Sequence, residues 1–182
     1  MRVVLQLVTG ILLLGYPVAV YFGLNYLPPG IIALVLCLIL LLRLAMLKKQ
    51  VKSMAIPVLV GIGLTAGSFI AKRNDWLLYY PVVINLSMLA LFGYSLKRGP
   101  SMIERLARFK EPDLPDEAIP YLHRVTQIWC GLFILNGTVA YYTANYASLE
   151  IWTLYNGFIA YLLIGLLLGG EWLYRTLWLK KS

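Results

Sequence analysis

Charge is what this chain has least of. Only 13% of its 182 residues are Asp, Glu, Lys or Arg, about half the share of an ordinary soluble domain. Mean hydropathy is +0.76 and 60% of the residues are hydrophobic, so a water-soluble globular reading is excluded. Histidine occurs once, at His123, and cysteine twice, at Cys37 and Cys130. Both cysteines lie in apolar segments with no CxxC and no neighbouring His, so they read as small core or lipid-facing residues, not redox or metal groups. A Gly-rich phosphate loop, a nucleophile elbow and zinc spacing are all missing. No cofactor and no metal is therefore expected. No small-residue cleavage site follows the first apolar run, which is about twice the length of a signal-peptide core. That run is expected to remain as a membrane span.

What the chain has is apolar length. A helix rises 1.5 Å per residue, so about 20 apolar residues cross the hydrocarbon core of a bilayer. Six segments qualify: Val3–Leu27, Gly30–Leu47, Ser53–Ala71, Trp76–Leu96, Val125–Asn145 and Ile151–Tyr174. Leu27-Pro28-Pro29-Gly30, Lys72-Arg73-Asn74-Asp75 and Tyr146–Glu150 join them in pairs. The expected fold is an all-α, six-helix membrane bundle of three antiparallel hairpins, a single transmembrane domain over residues 1–182. Pro17, Pro57 and Pro81 are expected to kink helices or open their first turns. Gly63-x-x-x-Gly67 and Gly165-x-x-x-Gly169 offer small faces for close helix approach.

The Lys and Arg residues cluster at the ends of these runs, which is a topology signal and not a nucleic-acid face. Arg2; Arg43, Lys48, Lys49 and Lys52; Lys97, Arg98, Arg105, Arg108, Lys110 and Arg124; and Arg175, Lys180 and Lys181 fall on one side. Only Lys72 and Arg73 fall on the other. Both termini and the polar stretch 97–124 are thus expected in the cytoplasm. Trp76, Tyr79, Tyr80, Tyr141, Tyr142, Tyr146 and Trp152 gather near the outer boundary, and Trp172, Tyr174 and Trp178 near the inner one, where amphipathic rings prefer to lie.

Within 97–124, Ser101 and Glu104 fit a capping box after Pro100. A short basic amphipathic helix is expected from there to Glu111, with Met102, Ile103, Leu106 and Phe109 on one face. Glu104, Arg105, Arg108 and Glu111 share the other, so the helix suits the cytoplasmic membrane surface. Pro112–Pro120 is expected to be extended. Lys97, Arg98, Arg105, Arg108 and Lys110 are the candidate contacts to a partner or to anionic lipid, each worth about 1 kcal/mol beside an anionic leaflet.

Lys97, Arg98 and Pro100, then Ile103, Arg105 and Leu106, Leu114-Pro115, Arg124, Trp129, Phe133-Ile134-Leu135 and Gly137 form an ordered set. With it, the run Lys97–Gly137 resembles the bacterial intracellular septation protein A family, also called the inner membrane-spanning protein YciB family. An outer-side Trp152 before a last apolar helix and a basic tail continues the likeness, which covers about half the chain. The acidic insert Asp113–Glu117 departs from the family pattern, as in a divergent relative. The resemblance implies a multi-pass protein of the bacterial inner membrane. It implies a role in septation or envelope biogenesis through contacts with division or envelope-synthesis membrane proteins. It carries over no catalytic residues.

The polar residues inside the apolar runs are few and uncharged: Gln6, Asn25, Asn85, Gln127, Asn136, Thr138 and Asn156. Such residues either hold helices together or line a polar pocket, and Asn85, Asn136 and Asn156 are the candidates for both roles. Arg43 is expected to snorkel, and Glu171 to pair with Arg175 four residues on. The acidic group Glu111, Asp113, Asp116 and Glu117 with His123 reads as a solvated linker, although clustered carboxylates also bind hard cations. The expected function is non-enzymatic, acting through membrane-protein or anionic-lipid contacts. The competing class is a small-solute transporter or lipid-handling membrane protein built on the three Asn residues. A lipid enzyme using the acidic loop and a metal is a third.

Overall fold

The computed structural model describes residues 15–27, 31–46, 55–71, 75–109 and 111–179. These residues form α1 (Tyr16–Tyr26), α2 (Ile31–Met46), α3 (Ala55–Ala71), a 3-10 turn (Asp75–Tyr79), α4 (Tyr80–Lys97) and α5 (Met102–Arg108). After the loop come α6 (Ala118–Tyr146), α7 (Leu149–Leu154), a π turn (Tyr155–Ile159), α8 (Ala160–Tyr174) and a second π turn (Arg175–Leu179). The described chain is all-helical, without a strand. Arg2, Gln6, Pro28-Pro29-Gly30, Lys48, Lys49, Lys52, Lys72, Arg73, Lys110, Lys180 and Lys181 lie outside the described residues, as do the side chains of Arg43, Pro57 and Trp178.

Two helical stretches, Asp75–Lys97 and Leu149–Leu177, are long and apolar enough to cross a membrane, and only 11% of each apolar window is buried within the chain. Helices this apolar and this exposed are unlike the core helices of a soluble domain, whose apolar faces are covered. Leu86, Ile134, Phe158 and Leu166 are each more than half exposed. Of the expected first span, residues 3–14 lie outside the described residues; the described part is α1, 11 residues with Pro17 in its first turn. Pro81 likewise sits in the first turn of α4. Pro17 thus opens its helix, where a first turn does not use the missing N–H, and Pro81 stands where the 3-10 turn passes into α4, its missing N–H leaving the Leu77 carbonyl to another donor.

The centre of the bundle is the antiparallel pair α4 and α6. Gly137 makes it close: a Cβ there would lie 3.2 Å from Cβ of Asn85. Below that contact Phe92 meets Phe133 edge-to-face at 5.1 Å, with Trp129 at 5.8 Å from Phe133. Above it the Tyr79 hydroxyl donates to Oδ1 of Asn145 at 2.6 Å. The anticipated GxxxG contacts are not where the helices meet. Gly63, Gly165 and Gly169 face open space, whereas Gly61 sits against the Tyr80 ring and Gly67 against the Trp76 ring.

A second core forms where the 3-10 turn meets α1 and α7. Tyr16, Val20, Leu36, Leu77 and Trp152 are buried together. The Tyr16 hydroxyl donates to the Leu77 carbonyl at 2.7 Å and the Trp152 indole N–H to the Leu78 carbonyl at 3.0 Å. Trp152 was an interfacial-belt candidate by position. It is instead 1% exposed, because a carbonyl of the 3-10 turn takes its N–H inside the fold.

The polar stretch 97–124 also differs from expectation. Helix α6 begins at Ala118, so the sequence before Val125 extends the helix, with Pro120 tolerated in its first turn. Glu104, placed on the water-facing side of α5, is 5% exposed. The capping box is half made: Ser101 Oγ accepts from the Glu104 N–H at 3.4 Å, while the Glu104 carboxylate turns to Arg108 at 2.9 Å. The other first-turn donors find tertiary acceptors, Met102 N–H reaching Ser95 Oγ at 2.9 Å and Ile103 N–H reaching Thr126 Oγ1 at 3.3 Å. Three orphan donors of a seven-residue helix are thus met by three hydroxyls. The helix is docked on the ends of α4 and α6; it does not float on a surface.

Candidate functional site: an apolar cavity between two polar ends

Helix α8 has no buried residue; it stands away from the α4–α6 pair, and the space between them is a cavity of about 830 Å³. That size is within the range of small-molecule and cofactor sites. Its walls are Ile84, Met88 and Phe92 from α4, Leu122, Val125 and Trp129 from α6, and Ala160, Ile164 and Leu168 from α8. Ile103, Leu106 and Ala107 of α5, with Leu114 and Pro115, cover the loop end. The amphipathic face read from the sequence in Ile103 and Leu106 exists, but it lines this cavity.

The three candidate Asn residues all line the cavity, at its end away from the loop. Asn136 is 2% exposed and its Oδ1 accepts from the Tyr155 hydroxyl at 2.9 Å. Asn156 is 5% exposed and its Nδ2 donates to the Trp152 carbonyl at 2.9 Å and to Thr143 Oγ1 at 3.3 Å. Both amides therefore bind neighbouring helices. Asn85 does not: its Nδ2 donates to the Pro81 carbonyl of its own helix at 2.8 Å. Asn156 lies in the π turn, where the fifth-residue hydrogen bond widens the helix, a distortion frequent at functional sites. Gly157 in the same turn allows Pro17 of α1 to approach, its would-be Cβ falling 3.4 Å from Cβ of Pro17.

The loop end carries the cavity's charges: Glu111, Glu171 and Arg175 line it beside Tyr121. Arg175 Nε is 3.9 Å from Glu171 Oε1, the pair expected from their spacing. The Tyr121 hydroxyl donates to the same Oε1 at 3.2 Å and its ring stacks on Tyr174 at 5.8 Å. Desolvation, then the Glu171 carboxylate, push the Tyr121 phenol up to about 12 from its ordinary 10.0. Sequence reasoning missed Tyr121, fifty residues from Glu171, because nothing local marks the pairing. From Tyr121 to Asn136, and from Asn156 to Glu171, the chain advances fifteen residues, about 22 Å of helix rise. The site is an apolar passage with amides at one end and charges at the other.

The basic candidates are disposed differently. Arg105 donates from Nε to the Pro100 carbonyl at 2.8 Å and from Nη2 to the Arg98 carbonyl at 3.3 Å, which closes the turn that Gly99 makes at φ +82°. That left-handed conformation is the one glycine adopts without a Cβ clash. Arg108 binds Glu104 and, from Nη1, the Pro112 carbonyl at 3.2 Å. Lys97 and Arg98 are exposed, the latter 5.9 Å above the Tyr94 ring. Lys110 falls outside the described residues. Among the described residues no group of three or more His, Cys, Asp or Glu is arranged to hold a metal, and Cys37 and Cys130 are half-buried free thiols. No protein-family model, curated protein or solved structure matches the chain.

Proposed function

We propose that this chain is a non-enzymatic, lipid-handling integral membrane protein that holds a membrane amphiphile in the cavity between α4, α6 and α8. The cavity carries the reading. It is mostly apolar over about 22 Å of helix rise, most of the roughly 30 Å hydrocarbon thickness of a bilayer, with its amides and its charges at opposite ends. A lipid tail removes apolar wall from contact with water or loose packing, while the end groups meet the head. Two long apolar helices with little internal burial support a membrane setting. The excess of Lys and Arg on one side of the apolar runs supports a six-span, multi-pass topology with both termini in the cytoplasm.

We place this activity in bacterial envelope biogenesis or septation, at the inner membrane, on the resemblance of Lys97–Gly137. The alternative role for 97–124, a basic helix that grips partner proteins or anionic lipid, is weakened where Arg105 and Arg108 are engaged within the fold. The test is retention of lipid by the full-length protein purified in mild detergent, read by native mass spectrometry. The native chain is expected to retain lipid and Ala160→Trp, which fills the cavity, to lose it while staying folded. Equal retention by both would overturn the reading.

A further inference from the structure

We infer that the loop-side mouth of the cavity selects a phospholipid whose head bears a primary ammonium beside its phosphate, the ammonium held by the Glu171 and Glu111 carboxylates and the phosphate by Arg175. The inference rests on the lipid-binding reading above and gives it a substrate class. The formal charge of the chain, +8, would by itself point to an anionic lipid. Counted over the described residues that line it, the mouth has the opposite sign. Among the described residues lining the cavity, the charged ones are two carboxylates and one guanidinium. The neighbouring Arg108 is paired with Glu104, and Arg105 keeps its charge but directs its N–H donors to the Pro100 and Arg98 carbonyls, away from the cavity lining.

Glu171 is fixed in place yet has acceptor capacity to spare. A carboxylate offers about four lone-pair sites, and the Tyr121 hydroxyl takes one of them at 3.2 Å. A phenol is protonated at neutral pH even at its ordinary value of 10.0, and burial raises this one further, to about 12, so it stays a donor. Arg175 Nε stands 3.9 Å from Glu171, well beyond the roughly 2.7–2.9 Å of a direct charge-assisted hydrogen bond. The arginine side chain is 55% exposed and its planar fork suits phosphate oxygens. The Glu111 backbone is held at the rim by its N–H bond to the Ala107 carbonyl at 2.9 Å and by the Arg108 clasp on Pro112, and its side chain is exposed there. A primary ammonium brings three N–H donors to these acceptors. A trimethylammonium brings none, and a purely anionic head meets two like charges.

The experiment presents the full-length protein in detergent with equal amounts of dioleoyl phosphatidylethanolamine, phosphatidylcholine and phosphatidylglycerol, and reads bound lipid by native mass spectrometry. The ethanolamine lipid is expected to be retained about fivefold over each of the others, the scale of one or two charge-assisted bonds at a part-exposed site. Glu171→Gln, which still accepts from Tyr121, is expected to lower retention of the ethanolamine lipid to that of the other two, and Glu111→Gln to reduce the preference. Arg175→Ala is expected to weaken all three lipids alike. Glycerophosphoethanolamine, which has the head and no tails, is expected not to compete; displacement by it would overturn the assignment to a lipid. Equal or greater retention of phosphatidylglycerol, or a preference that survives both Gln variants, would overturn the inference. Lipid lost from Ala160→Trp but bound without headgroup preference defeats this inference alone, whereas lipid indifferent to Ala160→Trp defeats the cavity reading as well.

Discussion

Replacing Tyr16 by Phe removes one oxygen from a side chain that is 2% exposed, and the fold gives that oxygen a defined task. Pro81 has no N–H, so it cannot return the helical hydrogen bond to the carbonyl of Leu77, four residues earlier. The Tyr16 hydroxyl supplies a donor to that carbonyl at 2.7 Å. Phe preserves the ring contact with Tyr80, at 4.3 Å between centroids, and takes the donor away. Depriving a buried carbonyl of its partner costs about 1–2 kcal/mol, a ratio of roughly 5- to 30-fold in folded over unfolded chain. Reversible unfolding in mixed micelles, followed by tryptophan fluorescence, measures it. Pro81→Ala returns an N–H at position 81, so in the double variant the two losses are expected to fall short of additivity by about 0.5–1 kcal/mol. A Tyr16→Phe loss below about 0.3 kcal/mol, or strict additivity with Pro81→Ala, would refute the argument that one donor substitutes for the other.

Three further outcomes are expected. Gly61→Ala places a Cβ 2.6 Å from the Tyr80 ring and 3.0 Å from Leu40 and should destabilise by about 1–3 kcal/mol, whereas Gly63→Ala, which meets open space, should be neutral or stabilising by up to about 1 kcal/mol; thermal unfolding of the pair compares them directly. Glu104→Ala removes the partner of Arg108 and should weaken α5 docking by about 1 kcal/mol, seen as faster proteolysis of the 97–117 segment while the helices stay intact. Tyr121 has a folded-state value raised to about 12 from 10.0, so its contribution to stability is present in full below pH 10 and is lost as pH rises through 12; Tyr121→Phe should flatten the stability curve across that window and remove one late phenolate from the absorbance titration.

The all-helical class and the main described helices were legible in the residues alone. With 13% charge against 60% hydrophobic residues the long apolar runs stand out, and the turn signals Ser101, Pro17 and Pro81 mark helix starts because their chemistry acts within one turn. The i,i+4 pair Glu171 and Arg175 was equally legible. Long-range partners were not. Whether Trp152 faces lipid or the Leu78 carbonyl, whether Glu104 faces water or Arg108, and whether glycines accept a helix or an aromatic ring depend on which surface arrives from elsewhere in the chain. The three Asn residues carry the point furthest: each reads locally as a polar residue in an apolar run, yet Asn136 and Asn156 bind neighbouring helices and Asn85 its own. Only the splaying of α8 from α4 and α6 brings them to one cavity, with Tyr121 and Glu171 at its other end, because a cavity is a property of where helices fail to meet and no single segment encodes that.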